Sequence, residues 1–366
     1  MELESRLVFI DTSAYEQKNY QFGEHSLGKL QELVEDEKIM LLITDVTKSE
    51  IQSHLEKLAS ESVSKIKKIQ KEAMFLRNTP ELSCFGIFTK LSTEEIFNIV
   101  NDKFLELVEG GYVEEISVGS VDPKVVFNKY FGQFPPFEKE SKKHEFPDAF
   151  VLEAIHQASE LRGQSIYLIS NDGDMKSYAE EADNLLHLNS VDEIIDLVLR
   201  NDAELAKPAN FADSVLESLQ ERLIAQVEEY LENSEFYSDD VDGWDNEITS
   251  IDIEEVKIAH KSLLHVSSEE AQYEMIFECS INAYYSFSDY DRSPWDGEDK
   301  AYVFVLKNLA TKSHCEKYSA YVNISYVDGI KGNGDIDEVE FIDSRFELNE
   351  ENSEITYFKE LDINDE

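Results

Sequence analysis

Cysteine is scarce in this sequence. Its three residues, Cys84, Cys279 and Cys315, are widely spaced and odd in number. That excludes a disulfide framework and a clustered thiolate metal site, and it fits a reducing compartment such as the cytoplasm. Long apolar runs are also missing. Nothing approaches the roughly 20 residues that span a bilayer, and no basic stretch leads into an apolar one at the N-terminus, so neither a membrane partner nor a secretory leader is expected. Glycine (14) and proline (7) are sparse, and no Gly-rich phosphate loop or internal repeat occurs. Basic residues number 33 against 78 acidic ones, a formal net charge of −45. Taken alone, that charge argues against nucleic acid as a partner, because phosphate binding relies on Lys and Arg. Its distribution matters more: from Glu235 onward 33 acids face 10 bases, a net of −23, half of the excess in little more than a third of the chain.

What is present is apolar surface in two distinct rhythms. At 42% hydrophobic and 11% aromatic, the 366 residues can bury real cores in two or three domains. The first two hundred residues alternate continuous apolar runs with helical patterns. The runs are "LVFI" (Leu7–Ile10), "KIMLLITDV" (Lys38–Val46), "SIYLIS" (Ser165–Ser170) and "NLLHL" (Asn184–Leu188). Helical spacing is found near His25–Asp36, Thr47–Arg77, Thr93–Val108, Pro123–Tyr130 and Phe146–Arg162. Ser190 with Glu193 forms a capping box for one more helix. Such alternation predicts an α/β fold with a parallel sheet and helices on both faces. A helix to about Asn233 reads as a linker (201–236). The acidic stretch Tyr237–Glu247 reads as the boundary to a second domain (237–350), with an acidic, mobile tail (351–366) after it. In that domain the period changes to two: every second residue from Tyr273 to Phe287 is apolar, "YSAYVNISY" repeats the pattern, and "AYVFVLK" reads as a third strand. A smaller, mainly antiparallel β (α+β) domain is expected, with one helix packed on it.

Four acids stand at the exits of the apolar runs. Asp11 ends the first, Glu50 lies a helical turn past the second, Asp148 opens the helix "FPDAF", and Asp172 follows the third, with Asp174 two residues on. Open α/β sheets bind ligands at the carboxyl ends of their strands, so these acids can converge. Converging carboxylates repel and take up protons unless a cation balances them, and an all-oxygen set suits Mg²⁺ or Mn²⁺ rather than zinc. Such ions activate water for phosphodiester hydrolysis. Thr12, Ser13 and Asn171 are placed to orient the carboxylates. Each acid also has an ordinary reading as a helix cap, a helix N-terminal charge or a turn residue.

"VFIDTSAY", "ITDVTKSEI", "FPDAFVLEAI" and "YLISNDGDM" together resemble the PIN-domain family of metal-dependent nucleases, over roughly Glu2–Arg200. The resemblance implies a central parallel sheet, an acidic Mg²⁺- or Mn²⁺-binding pocket and, most often, cleavage of single-stranded RNA. It places the family's catalytic and metal-binding acids on Asp11, Glu50, Asp148 and Asp172, with Asp174 as the variable accessory ligand. A toxin-like, RNA-processing or antiviral defence role in bacteria is implied on the same basis. The stretch Asn78–Phe137 is long for a compact member, which an inserted lid or substrate channel would explain, and so would a changed substrate.

Nucleic acid has two basic tracks available. Lys65, Lys67, Lys68, Lys71 and Arg77 follow Glu50 on its helix, and Lys139, Lys142, Lys143 and His144 precede Asp148. Tyr15, Tyr20 and Phe22 are expected as stacking faces. DNA stays open as a substrate, as do a protein partner or inhibitor and a homodimer. The acidic C-terminal domain serves solubility or mimics nucleic acid on the basic track. Two other enzyme classes fit the residues less well. A haloacid-dehalogenase-type phosphatase needs a second Asp where Ser13 stands, and a response-regulator receiver needs an Asp–Lys pair that is absent. The competing non-enzyme reading is a PIN-like scaffold whose C-terminal domain recruits a protein partner.

Overall fold

The computed structural model describes residues 2–137, 145–238, 247–298, 300–327, 330–343 and 345–360. The chain divides into two compact units, Met1–Asn201 and Asp202–Glu366.

In the first unit, β1 (Leu7–Ile10), α1 (Thr12–Gln17), α2 (His25–Glu35), β2 (Met40–Thr44), α3 (Asp45–Glu72), α4 (Thr93–Glu109) and β3 (Val113–Ile116) come in turn. They are followed by α5 (Pro123–Gly132), α6 (Phe146–Arg162), β4 (Ile166–Ile169), α7 (Gly173–Glu181), β5 (Leu185–Leu188) and α8 (Val191–Asn201). The strands form one parallel sheet in the order β3-β2-β1-β4-β5, with Val8 paired to both Leu41 and Tyr167. All four residues of β1 and of β4 are buried, the reason these strands read as unbroken apolar runs. Leu7 and Phe9 pack with Leu152, Ile155, Leu168 and Met175 beneath α6 and α7. Val8 and Ile10 point to the opposite face and are equally buried, so helices cover both faces. Truncating Phe9 to Ala would cost about 3–5 kcal/mol.

The chain moves outward from β1 through β2 to β3, then returns to place β4 on the other side of β1. That reversal creates a crevice between the carboxyl ends of β1 and β4, where sheets of this kind bind ligands. Strand β3 (VEEI) has no apolar run to announce it. It lies at the edge of the sheet and carries two glutamates that water can reach. The long stretch 78–137 is therefore not an inserted lid. It supplies α4, β3 and α5; Phe104 packs on Phe22 at 5.3 Å, and Val121, Val126 and Phe137 pack on Ala149 and Ala154. The capping box of α8 differs from expectation, since Glu193 reaches back to Asn189 rather than to Ser190.

The second unit opens with α9 (Ala206–Glu232). Its strands are β6 (Phe236–Tyr237), β7 (Glu247–Val266), β8 (Glu270–Asp289), β9 (Trp295–Asp296), β10 (Ala301–Tyr302), β11 (Leu306–Val327), β12 (Ile330–Phe341), β13 (Phe346–Glu347) and β14 (Ser353–Glu360). The sheet order is β12-β11-β8-β7, antiparallel throughout, and β14 pairs with the part of β11 that β12 leaves free. Three readings of the sequence are corrected here. Helix α9 is no free linker, because it packs on β7 and β12 within this unit. Ser353–Glu360 is a paired strand, not a tail; residues 361–366 lie outside the described residues. "AYVFVLK" is split: Ala301–Tyr302 pairs with Trp295–Asp296, and the 22-residue β11 begins only at Leu306. Most of the acidic stretch Tyr237–Glu247 also lies outside the described residues.

Candidate active site

The exit of β1 is held by hydroxyl groups. Asp11, 7% exposed, caps α1: its Oδ2 accepts the Ser13 N–H at 3.2 Å, the Ser13 hydroxyl at 2.5 Å and the Ser170 hydroxyl at 3.0 Å. The ordinary cap reading is thus correct as far as it goes, but a cap uses only one carboxylate oxygen. Oδ1 takes none of these three bonds. Ser170 and Ser13 in turn accept the N–H groups of Asp172 (3.0 Å) and Asn171 (3.3 Å), so the ends of β1 and β4 are stitched together across the crevice. Thr12 ties in the neighbouring element by donating its hydroxyl to Glu50 Oε2 at 3.2 Å.

Glu50 lies on α3, whose first turn is capped by Thr44 at the end of β2. Burial and the charge of Asp11 raise its pKa, against lowering by the Thr12 hydroxyl and His54. His54 is itself held by Tyr20, whose hydroxyl lies 3.0 Å from Nδ1. Asp148 sits in the first turn of α6. Burial, then the carboxylates of Asp11, Glu50 and Glu145, push its pKa from 3.8 up to about 8. Three of the four expected acids therefore share one electrostatic environment, joined by Glu145, which sequence reasoning passed over.

Asp172 is at the same sheet edge in a different role. It caps α7 by accepting the Asp174 N–H at 2.6 Å, and Asp174 occupies the first turn of that helix. Neither is among the acids that press most on Asp148. Among the described residues, no group of three or more His, Cys, Asp or Glu side chains is close enough together to grip a metal ion directly. Ser170 was also missed, since a serine at a strand exit carries no sequence signal of its own.

The structure bears on two expectations about nucleic-acid contacts, and the first of them is revised. Tyr15, Tyr20 and Phe22 are core residues, 1%, 5% and 1% exposed, because the chain turns back after α1 and packs their rings together; they have no face to offer a base. Lys65, Lys67, Lys68, Lys71 and Arg77 are exposed, but Lys65 is about 22 Å along α3 from Glu50 at 1.5 Å per residue. Lys139, Lys142, Lys143 and His144 lie outside the described residues. What does adjoin Glu50 is an open groove of about 730 Å³, lined also by Asp45, Val46, Phe146, Pro147 and Phe150. Asp45 is locked there by the Ser117 hydroxyl (2.8 Å) and the Val118 N–H (3.0 Å). These bonds outweigh its burial and lower its pKa. A larger cavity, about 960 Å³, opens at the amino ends of the strands; it holds none of the acids, and its Arg162 is paired with Glu114.

Among protein families, residues 8–175 match the model described as PIN domain. No curated protein matches the chain.

Proposed function

We propose that the N-terminal unit, a PIN domain across residues 8–175, is a divalent-metal-dependent endonuclease acting on single-stranded RNA, with DNA the lesser candidate. PIN domains are generally nucleases, and the fold here is of that type. One observation carries the finer reading: burial, then the charges of Asp11 and Glu50 beside it, let Asp148 keep its proton to about pH 8. A fold gathers such acids at a free-energy cost, and a cation relieves it.

The residues fit Mg²⁺ or Mn²⁺. The donors are all oxygens, and their loose spacing suits an ion that keeps several of its own waters. Asp11, Glu50 and Asp148 would hold it, with Asp172 and Asp174 from the β4 side. Bound there, Mg²⁺ or Mn²⁺ would supply the positive charge that activates water and steadies the leaving oxygen, the two-metal type of hydrolysis leaving a 5′-phosphate. The chain's own contribution is orientation. Ser13 and Ser170 fix Asp11 through Oδ2 and leave Oδ1 for the site, and Thr12 aims Glu50. Asp148 gives up its proton as positive charge arrives. Phe146 and Phe150 wall the groove beside Glu50, where an unpaired base can lie against apolar surface. A toxin-like, RNA-processing or defence role in the bacterial cytoplasm is the setting that suits such an enzyme.

End-labelled single-stranded RNA and DNA incubated with Mn²⁺, Mg²⁺ or EDTA test this reading, with wild type beside Asp148→Asn and Glu50→Gln. Metal-dependent cutting of RNA that both substitutions abolish is the expected result. An inert wild type that shows no heat of Mn²⁺ binding would refute it and leave the non-catalytic scaffold, with the C-terminal sheet recruiting a protein partner.

A further inference from the structure

The charge of the chain inverts most strongly at the end of α3. Residues 62–92 carry six cations (Lys65, Lys67, Lys68, Lys71, Arg77 and Lys90) against two acids, Glu72 and Glu81, a net of +4 in a chain of −45. The first four cations occupy the last turns of α3. The chain then leaves the helix through two 3-10 turns, Met74–Asn78 and Ser83–Phe88, which fold back beside it. Gln70 Nε2 donates to the carbonyls of Ile87 (2.6 Å) and Thr89 (3.3 Å), drawing Lys90 toward the turn that bears Lys67 and Lys71. The Arg77 guanidinium lies over the Phe88 ring, 5.1 Å from its centre.

This cap packs poorly for its composition. Neither 3-10 turn buries a residue, and Phe75 is 80% exposed, with Met74 and Leu82 at 51%. All six cations are exposed. Lys68 reaches Glu72 at 3.9 Å, whereas Lys65, Lys67 and Lys71 make no ion pair among the described residues. Aromatic surface in water beside unpaired lysines is the combination that single-stranded nucleic acid requires, cations for its phosphates and ring faces for its bases. A duplex would satisfy the lysines but offer no base to Phe75.

We propose that the cap is an exosite for single-stranded nucleic acid, holding the same strand that the acidic site cuts; for that strand's identity as substrate it rests on the nuclease reading above. The geometry sets its reach. Lys65 and Lys71 lie 15 and 21 positions beyond Glu50 on one unbroken helix, about 22–32 Å away. That is roughly seven to nine stacked nucleotides at about 3.4 Å each. Shorter strands reach the acids or the cap, and longer ones engage both.

The test compares oligouridylates of 6 and 20 nucleotides on the full-length chain. Binding is followed by fluorescence anisotropy in EDTA, and cleavage in Mn²⁺. The variants are the exposed triple reversal Lys67→Glu/Lys71→Glu/Lys90→Glu and, separately, Phe75→Ala, each with its unfolding temperature checked. Wild type should prefer the 20-mer over the 6-mer by about tenfold or more in kcat/KM, and the charge reversal should bring that ratio close to one. The reversal should also weaken 20-mer binding about tenfold or more and flatten its salt dependence by about 0.7 in log–log slope per lost phosphate contact. Phe75→Ala should weaken the same binding about tenfold. Equal handling of both lengths by wild type, or unchanged 20-mer binding in the reversal variant, overturns the exosite. So does cap-dependent capture of polyglutamate in place of RNA, which would make the cap a site for an acidic polypeptide. Cap-dependent binding without cleavage of either length overturns the nuclease reading and leaves the exosite standing; cleavage without length preference does the reverse.

Discussion

Replacing Asp148 with asparagine should stabilise the protein while removing its activity. The side chain keeps its shape and loses a charge that burial opposes first, and Asp11, Glu50 and Glu145 after it. A carboxyl whose pKa is raised in the folded state binds its proton better folded than unfolded. Its contribution to stability is therefore fully present below the unfolded value near 3.8 and is lost as the pH rises through about 8. At about 1.4 kcal/mol per unit, the loss reaches about 3 kcal/mol by pH 6 and has a ceiling of about 6 kcal/mol. Rotation of the acids apart and entry of water relieve part of the strain, so a gain of about 1–3 kcal/mol is expected for Asp148→Asn at pH 8. In a unit of this size that is about 3–10 °C in unfolding temperature. Scanning calorimetry of the full chain in EDTA at pH 4.5, 6 and 8 reads it directly. The advantage of the variant should grow with pH across this series. An asparagine variant no more stable at pH 8 than wild type, or an advantage independent of pH, would refute the claim that burial of Asp148 among neighbouring acids raises its pKa.

Four further outcomes follow from the same structure. Mg²⁺ or Mn²⁺ at about a hundred times its dissociation constant should raise the stability of wild type by about 2.7 kcal/mol and that of Asp148→Asn by much less, measured in the same calorimeter. Ser170→Ala removes a donor to Asp11 and the acceptor of the Asp172 N–H; metal affinity by titration calorimetry should fall about 10- to 100-fold, with a stability loss of about 1–2 kcal/mol. Lys129→Met leaves buried Glu153 without its cation at 3.0 Å, although the Tyr178 hydroxyl still donates to it at 2.7 Å. Urea unfolding should show a loss of about 2–3 kcal/mol, and adding Glu153→Gln should restore most of it. In the second unit, a Cβ on Gly334 would stand 2.4 Å from Val215 on α9, so Gly334→Ala should cost about 1–3 kcal/mol in denaturant unfolding by prising that helix from β12.

The acid-bearing motifs were legible because two constraints coincide in one dimension. A strand buried on both faces must be a contiguous apolar run, and a carboxylate cannot lie inside it, so Asp11 and Asp172 had to stand just past the ends of their strands. Glu50 and Asp148 were legible for a related reason, since the apolar periodicity of α3 and α6 locates their first turns. Strand β3 was not legible, because an edge strand needs one apolar face at most and VEEI offers a weak one. The roles of Tyr15, Tyr20 and Phe22 were misread for want of the third dimension. An aromatic beside a site residue in sequence faces the core or the solvent according to how α1 turns, and here it turns inward.

By itself, then, the sequence determined four of the five strands of the parallel sheet, where their acids fall, and that the C-terminal region is antiparallel, since each of these follows from local periodicity. Tertiary structure alone decided the strand order that puts β4 beside β1 and opens a crevice between them. It alone decided that Asp11, Glu50 and Asp148 act on one another while Asp172 caps a helix, and that Ser170 and Glu145 belong with them. It also left Phe75 in water. These are facts of distance and burial between residues far apart in the chain, and periodicity carries no information about them.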